Sequence, residues 1–199
     1  MKLYTSPIAP NPTRIRTYLR GKDIVIDEVV VDLTRGEQHS EAHLNRSPLA
    51  TAPVIEPDNG EFIDESLTFM HHHEQIYPST VIIGEKATAR ARTLKTERFI
   101  EMNVLQPIVR LIHATNSPSC LPSIPGVATA EEALFPNALT RLNKIIADHT
   151  HAMGNEPNIA DCTLFAALNF ATFASYNIDA QYSNIHRRHE SFRTRASTR

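Results

Sequence analysis

Short apolar runs alternate with helical spacing over the first 80 residues, and only helical spacing follows them. KLY near the start reads as a short strand, and Thr13–Lys22 reads as a helix closing near Gly21. IVIDEVVVD, Ile24–Asp32, is rich in β-branched residues and bounded by turns, which predicts a strand. Its nearly continuous apolar run predicts burial on both faces. Glu37–Leu44 is a weak helix. PVIE and EFID predict two short strands joined by Pro57-Asp58-Asn59-Gly60, whose Asn-Gly pair is a strong turn signal. Ser66–Tyr77 predicts a further helix, closed by Pro78. The order is βαβαββα, a parallel unit followed by a hairpin and a helix.

PSTVIIGE, Pro78–Glu85, reads as a linker, and the pattern after it is purely helical. Leu105, Ile108, Val109 and Ile112 recur at helical spacing, with Pro107 expected to kink that helix. Thr129-Ala130-Glu131-Glu132 reads as a capping box opening the next helix, whose apolar stripe continues through Leu139, Leu142, Ile145 and Ile146. NIADCTLFAALNFATFAS, Asn158–Ser175, is apolar nearly all round and predicts a buried central helix. The expected architecture is an α/β unit over residues 1–78, a linker over 79–86 and an all-α unit over 87–199.

Composition narrows the functions little. A net charge of −2 over 199 residues offers no long-range attraction for nucleic acid or an anionic membrane. Only the last stretch, HRRHESFRTRASTR, is locally basic. Cys120 and Cys162 are the sole cysteines, too few and too isolated for a disulfide framework or a CxxC site. No apolar run is long enough to span a membrane, and the N-terminus lacks a signal-peptide pattern, so a cytoplasmic protein is expected. His71-His72-His73 point about 100° apart on a helix and cannot share one ion. His39 and His43 stand at i, i+4, but HSEAH supplies no third ligand, so no metal is expected.

Thr51–Ser66, TAPVIEPDNGEFIDES, carries the most chemistry. Pro53 cannot donate to a sheet ladder, and a cis Ala52–Pro53 bond there leaves the Ala52 backbone free for an extended ligand. Ser66 opens a helix directly after Glu65. Its hydroxyl and the first free amides of that helix form a natural carboxylate site. A docking edge beside a carboxylate clamp points to a small peptide.

Ala52-Pro53, the DNG turn, Glu65-Ser66 at a helix start and NIADCTLF further on, in that order and spacing, resemble the cytosolic glutathione transferases over essentially the whole chain. The resemblance implies a thioredoxin-like domain followed by a helical bundle, glutathione as co-substrate and a homodimer. It implies that Ala52 pairs through its backbone with the cysteinyl part of glutathione, that Pro53 is the cis-proline, and that Glu65 and Ser66 hold the γ-glutamyl end. Gln38 and His39 fall near the glycyl carboxylate. Asn158 and Asp161 match the family's structural helix cap, with Asn in place of Ser or Thr. Ala52 replaces the usual Val, and Ala50 stands where Gly is common.

The thiol end departs from the pattern. The position usually held by Ser or Cys falls on Ala9, which has no polar group. Asn11 follows in an Ala-Pro-Asn-Pro loop; its amide NH₂ can donate to a thiolate, and the adjoining helix end favours one. Ser6 is the second candidate donor. Arg14 and Arg16 are expected in ion pairs or at a dimer cleft. Met102, Gln106 and Arg110, at i, i+4, i+8, are the candidate acceptor-pocket residues. The resulting expectation is a glutathione S-transferase of unassigned class, acting in detoxification. Glutathione-dependent peroxide or disulfide reduction, a non-catalytic glutathione-binding or regulatory module, and a stress-response protein using the basic end are the alternatives.

Overall fold

The computed structural model describes residues 1–58, 60–79 and 81–195. Asn59 of the predicted turn, Thr80 of the linker and the tail from residue 196 lie outside the described residues. The first part folds as β1 (Lys2–Thr5), α1 (Pro10–Gly21), β2 (Asp27–Val30), the short α2 (Glu41–Leu44), β3 (Val54–Glu56) and α3 (Ser66–Ile76). The three strands form one sheet in the order β2-β1-β3. β1 runs parallel to β2 and antiparallel to β3, with Leu3 opposite Glu28 on one side and Ile55 on the other. α4 (Ala87–Ile100), α5 (Gln106–Thr115), α6 (Pro125–Ile145), α7 (Ile159–Phe173) and α8 (Ser183–Arg193) complete the chain.

Two apolar cores explain the arrangement. Leu3, Ile15, Tyr18, Ile55 and Phe69 pack between the sheet, α1 and α3. Val104, Ile108, Leu139, Leu142 and Leu164 fill the helical part. α7 serves both cores, because Ile159 and Cys162 join the first while Leu164 and Ala167 join the second. A helix apolar all round is the one shape that can be buried on two sides. Its start is fixed by a reciprocal cap. Ala160 N donates to Asn158 Oδ1 at 3.0 Å, and Asn158 N donates to Asp161 Oδ2 at 3.0 Å. The linker is tied to the same end, with Ile159 N donating to Ile82 O at 3.0 Å and Ile83 fully buried.

Four expectations are corrected. α1 begins at Pro10, three residues earlier than expected, because proline at a first helical position has its φ preset and lacks an N–H that would be unpaired anyway. β2 spans only Asp27–Val30 and all four residues are exposed. It is the sheet's edge, so its apolar run reflects β propensity rather than two covered faces. EFID contributes a single bridge, Ile55 to Ile63, in place of a fourth strand. The Thr129–Glu132 pattern lies inside α6, which opens at Pro125, so it caps nothing. The expected kink at Pro107 takes the form of a π-helical turn, Glu101–Leu105, immediately before it. Widening the turn relieves the clash that a proline ring makes with the preceding carbonyls.

Candidate functional site

The loop between β1 and α1 is held by its own carbonyls. Thr13 N and Thr13 Oγ1 both donate to Ala9 O, at 3.1 and 3.0 Å. Arg16 Nη2 donates to Pro7 O at 2.7 Å. A helix leaves its first four N–H groups without helical partners. Here Pro10 and Pro12 have none to offer, so Ala9 and Asn11 supply the main-chain donors at this end.

Arg14 connects this loop to the rest of the molecule. Its side chain is 2% exposed. Nη2 donates to Ser66 Oγ at 2.5 Å and to Asn11 Oδ1 at 3.0 Å. Nη1 donates to Glu97 Oε1 at 3.1 Å and also bonds Glu101 Oε2. Thr163 Oγ1 donates to the same Glu97 oxygen at 3.0 Å. Burial raises the Glu97 carboxyl above the usual range, against the opposing charge of Arg14. Burial pushes Glu101 the same way, but the charge and hydrogen bond of Arg14 outweigh it and hold that carboxyl low. One buried guanidinium thus joins α1, the start of α3, α4 and α7.

This network sets the geometry of two expected site residues. Ser66 is buried at the first position of α3, with its hydroxyl oxygen accepting from Arg14. Asn11 points its amide oxygen at the same guanidinium, which leaves its NH₂ as the donating end. Asn11 and Ser66 are therefore neighbours through Arg14, and Asn11 stands in the first turn of α1 rather than in the loop before it. Glu65 is exposed at the N-cap of α3 and makes no side-chain cap.

The Ala52–Pro53 peptide is cis. Its approach is braced by a chain of polar contacts. His43 Nε2 donates to Thr51 O at 2.8 Å, and since a carbonyl only accepts, the proton is on Nε2. Ser47 Oγ donates to Asp64 Oδ2 at 3.0 Å and lies 3.0 Å from Thr51 Oγ1. The loop before Pro53 is thereby fixed to the residues just ahead of Glu65. Ala50 takes a left-handed φ of 55°, the conformation that favours glycine at this point of the turn. Gln38 is half-buried with Oε1 shielded and unpartnered, while His39 is exposed; both belong to a short 3₁₀ turn, Glu37–His39.

A cleft of about 60 Å³ opens between this loop and the helical part. Ser6, Ala9 and Pro10 line one wall; His113, Ser119 and Phe170 line the other. Asn11 is not among its lining residues, and neither are Met102, Gln106 and Arg110. The π-helical turn shifts the register that would have aligned those three. Met102 is exposed, Gln106 Nε2 donates to Glu101 Oε1 at 3.1 Å, and Arg110 pairs with Glu131 of α6. His113 was not singled out by the sequence, since a lone histidine in an amphipathic helix carries no signal of its own. Its Nδ1 lies 2.7 Å from Ser117 Oγ, and burial lowers its pKa from the ordinary histidine value. Among the described residues no group of His, Cys, Asp or Glu side chains could hold a metal ion.

A small sheet carrying a cis-proline beside a helix start, set against a helical bundle, defines the thioredoxin-like-plus-helical class. Family models of the glutathione S-transferase N-terminal domain and C-terminal domain match residues 3–84 and 125–187. The chain belongs to the glutathione S-transferase family. It is 23% identical over 188 residues to glutathione S-transferase 2 of Saccharomyces cerevisiae, covering 89% of this chain and 79% of that one. A crystal structure of a glutathione S-transferase domain-containing protein from Marinobacter aquaeolei VT8 superposes with a TM-score of 0.91 at 23% identity, covering 100% of both chains. A glutathione S-transferase from Methylobacillus flagellatus, solved with glutathione bound, superposes with a TM-score of 0.86 at 20% identity, covering 99% of this chain and 96% of that one.

Proposed function

We propose that this glutathione transferase binds glutathione on its sheet-bearing part, residues 1–78, and presents the thiolate to a small electrophile in the cleft facing the helical part, residues 87–199. The observation that carries the reading is that cleft, which sets His113 of α5 opposite the Ser6–Pro10 loop. The γ-glutamyl carboxylate takes the Ser66 hydroxyl and the unpaired amides at the start of α3, where the helix dipole favours an anion. Glu65, beside them, meets the γ-glutamyl ammonium, and Arg14 and Asn11 orient Ser66 from behind. The cysteinyl backbone pairs with Ala52, next to Pro53. Gln38 and His39 take the glycyl end.

The thiol then lies against Ser6 and the Ala9 and Asn11 amides, without the Ser or Cys that Ala9 replaces. Asn11 serves the γ-glutamyl clamp in this reading. His113 supplies the proton acceptor in the tautomer whose Nδ1–H donates to Ser117 Oγ, 2.7 Å away, which leaves Nε2 for the thiol proton. Its lowered pKa keeps the ring neutral, and so competent as a base, at and somewhat below neutral pH. The protein's own cysteines take no part. Cys162 is buried, which pushes its thiol up and out of reach of ionisation, and Cys120 is an exposed loop residue outside the cleft lining.

Cytoplasmic detoxification as a homodimer completes the reading. The test is steady-state conjugation of glutathione to 1-chloro-2,4-dinitrobenzene, alongside cumene hydroperoxide reduction, for the parent protein and His113→Phe. The reading requires conjugation that falls with the substitution at unchanged glutathione KM. Peroxide turnover without conjugation would replace transfer by reduction. An unchanged kcat in His113→Phe would remove His113 from the chemistry.

A further inference from the structure

We propose that the cleft admits only a short, uncharged electrophile, and that Phe170 of α7 sets its size limit. The inference rests on the transferase reading of that cleft and adds what the cleft selects.

The space is small and its walls are braced. A pocket that encloses a drug-sized ligand measures about 300–1,000 Å³. The cleft has about 60 Å³. Ile8, Leu33, Pro118 and Phe170 make its lining apolar. Phe170 is the bulkiest of them and is itself buried. Its ring is held on two sides, with the His113 ring 6.2 Å away, centroid to centroid, and the Phe173 ring stacked at 6.4 Å. A side chain fixed in this way within a packed core has little freedom to move aside for a longer substrate. Since His113 is the proton acceptor of the reading, the ring beside it bounds the space in which the electrophile must sit.

The same lining disfavours charge. Among the described residues it holds no Lys, Arg, Asp or Glu. Thr34 Oγ1 already donates to Asp32 Oδ1 at 2.6 Å. Cations on the flanking elements are engaged elsewhere: Arg16 donates to Pro7 O, Arg35 lies 3.6 Å from Asp32 Oδ2, and Arg110 pairs with Glu131. A carboxylate carried into this cleft loses its water and meets no fixed counter-ion.

Isothiocyanates test both limits with one reacting group. The glutathione sulfur bonds to the central carbon, and the C=N electron pair moves to nitrogen. Nitrogen takes the proton that His113 removed from the thiol, so nothing leaves. Rates above the uncatalysed reaction are measured for allyl isothiocyanate, 2-phenylethyl isothiocyanate and 3-isothiocyanatopropanoate. The parent should favour the allyl compound over each of the others by about tenfold or more in kcat/KM. Phe170→Leu should bring the allyl-to-phenylethyl ratio down to about threefold by raising turnover of the longer substrate, and leave the carboxylate poor. A merely structural loss would lower both rates and keep the ratio. Thr34→Leu, which adds bulk from the other wall at an exposed position, should raise the ratio. Equal efficiency for all three in the parent, or the parental ratio in both variants, overturns the proposal and leaves the transferase reading standing. No conjugation of any of them overturns both.

Discussion

Arg14→Met is the most informative single change, because it removes one cation from between two acids. In the folded protein Glu97 is fully buried and Glu101 nearly so. Without the guanidinium, Glu97 keeps only the Thr163 hydroxyl, and Glu101 keeps the Gln106 amide. Breaking a buried pair by deleting one partner costs about 3–5 kcal/mol. For a chain of this length each kcal/mol moves the unfolding midpoint by about 2–4 °C, so a fall on the order of 10 °C is expected at pH 7.5. The sign of the pH dependence follows from the carboxyls. In the variant, Glu97 rises further above its unfolded value, so the penalty is present at high pH and fades as the group takes up a proton. In the parent, Glu101 is held low by Arg14, so its stabilising contribution is lost as pH falls. Both effects close the gap on acidification. Differential scanning calorimetry from pH 8 to pH 5 reads this directly. Adding Glu97→Gln to Arg14→Met should recover part of the loss, since a neutral amide needs no counter-charge. A midpoint within 2 °C of the parent at pH 7.5, about what 1 kcal/mol gives, would refute the reasoning, as would a gap independent of pH.

Ser66→Ala removes the hydroxyl that accepts from Arg14 and should raise the glutathione Kd about tenfold by titration calorimetry, with a loss of stability of about 1–3 kcal/mol because Arg14 Nη2 loses a buried acceptor and keeps Asn11 Oδ1. His113→Phe should lower kcat about a hundredfold, the order expected for one acid–base group, and erase the acid limb of the kcat profile that the parent shows below neutral pH. His73 is buried, and burial together with the Lys22 charge lowers its pKa to about 4. The unfolded chain takes up that proton near pH 6.5 and the folded one does not, so stability should fall by about 2–3 kcal/mol between pH 6.5 and 4. His73→Phe, which keeps the ring against Phe69 and Tyr77, should flatten that part of the chemical-denaturation profile. Asn158→Ala should lower stability by about 1–2 kcal/mol through loss of the α7 cap, measured the same way.

The helical second half, the α7 cap and the start of α3 were legible because each rests on local chemistry: an unbroken apolar stretch, an Asn with Asp three residues on, a Ser after an extended segment. The edge position of β2 was not legible. Asp27–Val30 carries β-branched residues, Val29 and Val30, as a covered strand would, and only tertiary packing decides that its residues stay exposed at the end of the sheet. Thr129–Glu132 failed for the opposite reason. The local signal was sound, but Pro125 had already begun the helix. At the site, Ala52, Pro53 and Ser66 stood out through the backbone roles their positions demand. The fivefold engagement of Arg14 joins residues up to 149 positions apart, which no spacing rule reaches. His113 shares the cleft lining with the Ser6–Pro10 loop because α5 packs on α7, which in turn packs on α1.

The most direct test of the central claim is a calorimetric titration of the protein with reduced glutathione. A single saturable site per chain, weakened in Ser66→Ala and retained in His113→Phe, is the predicted result. No measurable heat or saturation with the folded parent protein would contradict it.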